Sequence, residues 1–206
     1  MLIAHLVPGY FAASFAQSRW PITWGRRRRT LLWITALGAT VIPDIDVVLN
    51  VVSGKHINHS TLWTHSVFVY LAIGVIWFLL WRNGRWPYVA LLVGLVDLGG
   101  LSHLVLDVIA HGTPLLYPLS STLFGLPPAR VVAGGLWAYL SDAILLLEPV
   151  LIAVAIGHWI HTRHWSPRAA LVAYALVASA LASFAGVFLA YLPDLQRLAS
   201  VLIASR

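Results

Sequence analysis

Long apolar stretches separated by short polar connectors dominate this chain. A helix needs about 20 apolar residues to cross a bilayer, and five stretches reach that length: 30–52, 62–81, 87–110, 136–160 and 169–192. A sixth stretch, 2–16, is shorter; it either spans beside its neighbours or lies half inserted, and Pro8 followed by Gly9 predicts a kink or a break in it. The pattern predicts an all-α fold, namely a polytopic membrane helical bundle with five to six transmembrane helices.

The connectors between these stretches indicate one domain. They are short, apart from a Pro/Gly/Ser-rich loop at 111–135, and no internal repeat is visible. We therefore predict a single integral membrane domain over 1–206, with the candidate site in 1–150 and an amphipathic tail at 193–206.

Composition excludes an ordinary soluble domain. Hydrophobic residues make up 60% of the chain, charged residues only 10%, and the mean hydropathy is +0.84, whereas a soluble domain carries about 25% charged residues. The chain has no cysteine, so it forms no disulfide. Four consecutive arginines, Arg26 to Arg29, stand beside an apolar stretch without any accompanying basic domain. This favours a membrane anchor over a nucleic-acid surface, and we expect membrane lipid and no nucleic acid among the partners.

Lysine and arginine counts predict the orientation. The connectors 17–29, 82–86 and 161–168 hold nine of these residues, and the opposite side holds four: Lys55, Arg130, Arg197 and Arg206. Because cytoplasmic loops carry the excess of positive charge, the loops at 53–61 and 111–135 are predicted to be extracytoplasmic. We expect a multi-pass protein of the cell membrane.

Several ionisable side chains lie inside the apolar stretches, where each charge costs roughly 2.5–3.5 kcal/mol. With a rise of about 1.5 Å per residue, five of them, in the stretches 30–52, 62–81 and 87–110, come within roughly 12 Å of the predicted outer boundary. The first stretch contributes to the same layer if its N-terminus is outside. The six residues are His5, Asp44, Asp46, His65, His103 and Asp107. Four segments that converge at one depth predict a functional site facing the extracytoplasmic side.

His103 and Asp107 have the spacing of a metal-binding pair. Residues four apart share a helix face, so one nitrogen and one oxygen can reach the same ion, and His111 continues this stripe. Imidazole and carboxylate ligands suit Zn²⁺, with Mn²⁺ or Fe²⁺ as alternatives. The other interpretation is a buried hydrogen-bonded pair without a metal.

Pro43 predicts a broken helix at Pro43-Asp44-Ile45-Asp46. On an unbroken helix the two aspartates would point in nearly opposite directions, but a break lets both point into one cavity. A broken helix is tolerated in a membrane where it lines a polar cavity. Alternatively, one aspartate caps the new helix start.

Two further residues extend the candidate site. His65 lies near the start of the apolar stretch 62–81, at the same predicted depth as the other candidate residues, which favours a role as a ligand. Glu148, the one glutamate in the chain, is placed roughly 18 Å below the outer surface. It is a candidate ligand, a general base for a metal-bound water, or an anchor for a ligating histidine.

Taken in order, these motifs resemble those of the YdjM-type inner-membrane metal-dependent hydrolase family, which is sometimes described as LexA-binding. The family's HRGxTHS motif is matched here only in its second half, Thr64-His65-Ser66, and its arginine is missing. The resemblance covers residues 1 to about 150. Its other elements are the early His5, Ile42 to Asp46, Leu101 to Leu104 with Asp107, and Gly112 to Ser120.

A more distant similarity is to zinc-dependent phospholipase C and the P1-type nucleases. It implies one metal site built from Asp44 or Asp46, His65, His103 and Asp107, while Ile144 occupies the place of a late histidine ligand. The function that follows is a membrane-bound metal-dependent hydrolase. It would cleave a phospholipid or other lipid-linked phosphoester with a metal-activated water.

In this interpretation Asp46 and Glu148 are the candidates for catalysis, and His5, Asp44, Asp46, His65, His103 and Asp107 are the candidate metal ligands. A proton- or metal-coupled transporter is the alternative, because it too places Asp and His inside the membrane. Transport sites usually lie at the midplane between repeated halves, which this chain lacks. A membrane scaffold without chemistry is the third hypothesis.

Overall fold

The computed structural model describes residues 4–20, 25–45, 49, 52, 63–110, 112–125, 147–162, 165–175, 177–179 and 181–182. Within these ranges every regular element is helical, and an isolated antiparallel bridge pairs Thr113 with Phe124. The all-α prediction is confirmed. The chain divides into two compact units, Met1–Val131 and Val132–Arg206, and a single membrane domain over 1–206 stays a prediction.

The described residues of the first unit form four α-helices. They are α1 (Leu6–Arg19), α2 (Arg26–Ala39), α3 (Val67–Asn83) and α4 (Pro87–Ala110). Two 3-10 turns, Ile42–Asp44 and Trp63–His65, pack against each other. Helix α4 contacts α1, α2 and α3, so it forms the centre of the unit.

Helix α4 has the bounds that the apolar pattern predicts. Its segment Pro87–Ile109 has 23 residues and a mean hydropathy of 2.0, and it is the one helix in the described part of the chain that is long and apolar enough to cross a membrane. Helix α3 is apolar but shorter, with 17 residues. The count of five to six spans stays a prediction.

Helix α2 ends before the predicted break. It stops at Ala39, and the chain turns at Thr40 and Val41 before the 3-10 turn that contains Pro43. In a continued helix the N–H of residue 43 would bond to the carbonyl of Ala39, and proline has no N–H to give. The helix that covers the start of the predicted apolar segment 30–52 therefore runs from Arg26 to Ala39, and the backbone then changes conformation.

Glycines allow close helix packing in the first unit. A Cβ on Gly9 would collide with the carbonyl of Ala36, so α1 and α2 touch backbone to backbone at this point. A Cβ on Gly100 would collide with the ring of Tyr70. The prediction of a break at Pro8 and Gly9 is wrong, because α1 runs through both residues. Pro8 lies in the first turn, where its missing N–H leaves no carbonyl unpaired.

The second unit contains α5, Leu147–Thr162. This helix coincides with the second half of the predicted segment 136–160 and extends two residues further, while residues 136–146 lie outside the described ranges. Residues 167–175 are also helical, and those from 169 onward belong to the predicted segment 169–192. The last ten residues of that segment lie outside the described ranges as well.

Candidate metal centre

Four side chains from three segments meet in the first unit. One donor atom each from Asp44, His65, His103 and Asp107 lies within 4.8 Å of all the others. The site thus combines two imidazole nitrogens with two carboxylate oxygens, a donor set that Zn²⁺ accepts.

Helix α4 supplies two of the four donors. His103 Nε2 lies 3.1 Å from Asp107 Oδ2, one helical turn away, and both side chains are buried. As predicted from their four-residue spacing, both groups occupy the same face of one helix.

The two 3-10 turns supply the other donors, because Asp44 ends the first turn and His65 ends the second. Asp44 Oδ1 lies 3.3 Å from His103 Nε2 and 3.6 Å from His65 Nε2. His65 Nε2 lies 3.5 Å from Asp107 Oδ2. A tetrahedral ion with bonds of about 2.0–2.1 Å separates its ligand atoms by about 3.3–3.4 Å, and the observed separations lie on both sides of that value.

Hydrogen bonds fix the two turns against each other. Thr64 Oγ1 donates to the carbonyl of Pro43 at 2.8 Å, which ties the His65 turn to the Asp44 turn. Tyr70 Oη donates to the carbonyl of Thr64 at 2.8 Å, from the first part of α3. The side chain of Ser66 caps α3 by accepting from Phe68 N. The position of His65 is therefore set by backbone and side-chain bonds on both of its flanks.

The end of α2 orients His103. Its Nδ1 lies 2.7 Å from the carbonyl oxygen of Thr40, in a buried contact. A carbonyl only accepts, so Nδ1 donates to it and Nε2 faces the cluster. Nε2 lies 3.1 Å from Asp107 Oδ2 and 3.3 Å from Asp44 Oδ1. When Nε2 is unprotonated, its lone pair would point at a cation held between these two carboxylates.

Charge also fits a divalent cation. Metal ligands must be deprotonated, so around a bound ion the two aspartates would be ionised and the two histidines neutral, which gives the four side chains a net charge of −2. A 2+ ion would balance it. The donor types and their proximity thus show that these four residues could hold a metal ion.

His5 stands next to the cluster, not among its four donors. It is buried, and its ring stacks on that of His103 with centroids 3.9 Å apart and an interplanar angle of 22°. Its Nε2 lies 3.4 Å from Asp107 Oδ1, whereas the other oxygen of Asp107 faces His65 and His103. A partner of this kind on the second oxygen orients a ligating carboxylate. His5 as a direct ligand stays a prediction.

The remaining candidate residues are placed differently. Asp46, predicted both as a catalytic residue and as a ligand, lies outside the described residues, as do His59 and His111. Glu148 is a buried residue in the first turn of α5 and belongs to the second unit, so its catalytic role stays a prediction. Asp97 is on α4 but faces Gly74 of α3, where a Cβ would lie 3.2 Å from its Oδ2.

Sequence reasoning missed the parts of the site that are not ionisable. Thr40 contributes only its backbone carbonyl, and Tyr70 acts through a backbone atom of Thr64. A signal existed for Thr40, because the last carbonyls of any helix lack intrahelical donors. The position of Pro43 could have indicated that the helix end next to the site is the end of α2.

The fold and the site together define a helical protein with a span-length apolar helix and a buried His/Asp cluster that can hold a metal ion. The model of the YdjM inner membrane protein family matches residues 1–192, so the chain belongs to that family. No curated protein and no solved structure matches it. The predicted family is confirmed over more of the chain than the motifs themselves cover.

Proposed function

We propose that this protein is a multi-pass membrane hydrolase that uses a divalent cation, in the first place Zn²⁺, to cleave a phospholipid or other lipid-linked phosphoester. The observation that carries the proposal is the convergence of four donor atoms within 4.8 Å of one another. Membership of an inner membrane protein family supports the location.

Asp44, His65, His103 and Asp107 would hold the ion. When bound, such a cation polarises a phosphoryl oxygen and makes a water molecule more acidic, which supplies the nucleophile for hydrolysis. The water oxygen adds to phosphorus, one P–O ester bond breaks, and the water's proton passes to the leaving alcohol. Asp46 is the proposed group for moving that proton, and a catalytic role for Glu148 stays a prediction.

Four protein ligands are typical of structural zinc sites, whereas catalytic sites keep a position open. An open coordination position could form beside Asp44, because Asp44 is 25% exposed while the other three side chains are at most 1% exposed. A fifth ligand, or exchange of Asp44 for water, would therefore take place next to Asp44. This distinguishes the proposed catalytic site from a closed structural one.

Orientation completes the proposal. The arginine-rich connectors are proposed to be cytoplasmic, so that the cluster lies in the extracytoplasmic half of the bundle. The substrate would then come from the outer leaflet of the inner membrane.

Elemental analysis of the full chain, purified in detergent, tests the proposal directly. We expect about one equivalent of Zn²⁺ per protein, lost in His103→Ala together with hydrolysis of phospholipid in mixed micelles. Ser102→Ala is the matched control, because its side chain bonds only the carbonyl of Gly99 in the same helix; it should keep both properties. A protein without a transition metal, in which His103→Ala leaves hydrolysis unchanged, would refute the proposal. Metal uptake into proteoliposomes without hydrolysis would support the transporter instead.

A further inference from the structure

Asp44 marks the side from which the cluster can be reached. The side chains of His65, His103 and Asp107 are buried among protein atoms, and only Asp44 has substantial exposure. Among the described residues, the two 3-10 turns therefore lie on the side from which a molecule can approach the donors. The chemistry of these turns decides which molecules are accepted.

Exposed apolar side chains lie near Asp44 in the described part of the chain. Ile45 directly follows it, Ile42 stands two residues before it, and Trp63, two residues before His65, is 59% exposed. The bond from Thr64 Oγ1 to the carbonyl of Pro43 keeps the Trp63 turn against the Asp44 turn. The cluster suits the phosphoester group of an amphiphile, and the exposed apolar side chains beside it suit the alkyl chain of the same molecule.

Trp63 is held in place although its ring is largely exposed. The ring meets Tyr117 edge to face, with centroids 5.9 Å apart and an interplanar angle of 84°. Tyr117 belongs to the loop after α4, and this loop is joined to the start of α3 by a hydrogen bond from Val67 N to the carbonyl of Leu115 at 2.9 Å. The aromatic pair thus joins the turn that carries His65 to the loop that follows α4. Fixed aromatic side chains lose little conformational entropy on binding, which makes them effective anchors.

We propose that Trp63, supported by Tyr117, binds the hydrocarbon chain of the substrate at the entrance beside Asp44. Trp63 is then a specificity-determining residue that selects long-chain over short-chain phosphoesters. This inference rests on the proposed hydrolase function. The competing role for an exposed tryptophan is a general contact with the membrane interface, which would not discriminate between substrates.

The experiment compares two phosphodiesters with the same leaving group, hexadecyl p-nitrophenyl phosphate and ethyl p-nitrophenyl phosphate, on the zinc-loaded full chain in detergent. We expect Trp63→Ala to lower kcat/KM for the hexadecyl compound about tenfold, mainly through KM, as on losing one aromatic anchor. Activity on the ethyl compound should be unchanged, and Trp63→Phe should keep most of the preference. Zinc content reports whether each variant is folded.

Trp86→Ala is the matched control, because Trp86 is 60% exposed but precedes α4 at the opposite end of that helix. It should change neither substrate's kinetics. Equal losses on both substrates in Trp63→Ala, or no loss on either, would overturn the inference.

A binding measurement separates this inference from the proposed function. Hexadecylphosphonate, which cannot be hydrolysed, should bind Trp63→Ala about tenfold more weakly than the unmodified protein, while ethylphosphonate should bind both equally. Equal affinity for hexadecylphosphonate would refute the role of Trp63 whether or not the protein is a hydrolase. Failure of the unmodified protein to cleave either diester would count against the hydrolase, and the phosphonate result would still decide the role of Trp63.

Discussion

The two ends of the four-helix unit differ in chemistry and in how their side chains are held. At the ligand end, the start of α1, the end of α2, the turn before α3 and the last turns of α4 bring together His5, His65, His103 and Asp107. At the basic end, Arg26 to Arg29 begin α2 and are exposed. Neither 1–43 nor 63–96 contains an acidic residue.

Burial explains why these ends should respond differently to mutation. Buried polar groups at the ligand end depend on particular partners, so a lost partner leaves a costly unpaired group. The arginines at the basic end share their role with each other, and exposed charges contribute little individually. One residue there has a specific contact: the Arg28 guanidinium lies 5.3 Å from the centre of the Tyr88 ring. A substitution at the ligand end should therefore change metal binding more than a comparable substitution at the basic end.

Asp107→Asn should have the largest effect. It keeps the shape of the side chain but removes a charge that faces His5, His65 and His103. We expect zinc affinity, measured by competition with a fluorescent chelator, to fall by more than about 100-fold, above the range for residues that only support a ligand. Arg27→Gln removes a charge at the basic end and should leave affinity unchanged. Similar affinities for the two variants would contradict the distinction between the ends.

His5→Phe should have the next largest effect. Phenylalanine can keep the stacking on His103, but it cannot interact with Asp107 Oδ1 as His5 Nε2 does at 3.4 Å. We expect zinc affinity to fall about 10- to 100-fold, as for loss of a partner that orients a ligand. Zinc content at saturating metal should stay at one equivalent. If that content is lost altogether, His5 is itself a ligand, as the sequence also predicted.

How far the sequence predicts this site depends on the type of interaction. His103 and Asp107 were placed together by helical periodicity, and Pro43 predicted a change of backbone near Asp44, because both signals are local. Their convergence with His65 followed from depth in the membrane. What was missed requires contacts between distant segments, such as Thr40 with His103, which are 63 residues apart. A side chain's type does not reveal a role played by its backbone carbonyl.

The same reasoning explains the outcome for the helices. The ends of α4 were predicted because polar connectors bound it on both sides. The end of α2 was not, because apolar residues continue past Ala39 and the hydrophobic pattern does not change there. Gly9 was interpreted as a breaker, since sequence alone does not show that another helix lies against it.

Gly9→Ala tests that packing. A Cβ at this position would collide with the carbonyl of Ala36, so α1 and α2 must separate. We expect a loss of about 2 kcal/mol in the free energy of unfolding, typical of overpacking, measured by denaturation in detergent. Gly38→Ala is the control, since a Cβ there meets nothing within 4 Å, and in a helix this exchange stabilises by about 0.5–1 kcal/mol. Equal effects would show that α1 and α2 do not touch at Gly9.

The smallest effects are expected from replacing a tyrosine by phenylalanine, once at each end, in two separate variants. Tyr70 Oη donates to the carbonyl of Thr64 at 2.8 Å near the cluster, and Tyr88 Oη donates to the carbonyl of Arg28 at 2.7 Å at the basic end. Phenylalanine removes one hydroxyl-to-carbonyl bond in each case, and such a bond contributes about 0.5–1.5 kcal/mol. Tyr70→Phe leaves the buried turn that carries His65 less firmly held, so zinc affinity should fall about threefold to tenfold.

Tyr88→Phe keeps the ring under Arg28 and loses a solvent-exposed bond, so its zinc affinity should not change and its stability should fall by less than about 0.5 kcal/mol. Because the two variants lose the same kind of bond, any difference in zinc affinity reports the location of the bond and not its type. If Tyr88→Phe lowers zinc affinity as much as Tyr70→Phe does, the four helices transmit strain from one end to the other. The two ends would then be coupled through α4, whose first turn carries Tyr88 and whose last turns carry His103 and Asp107.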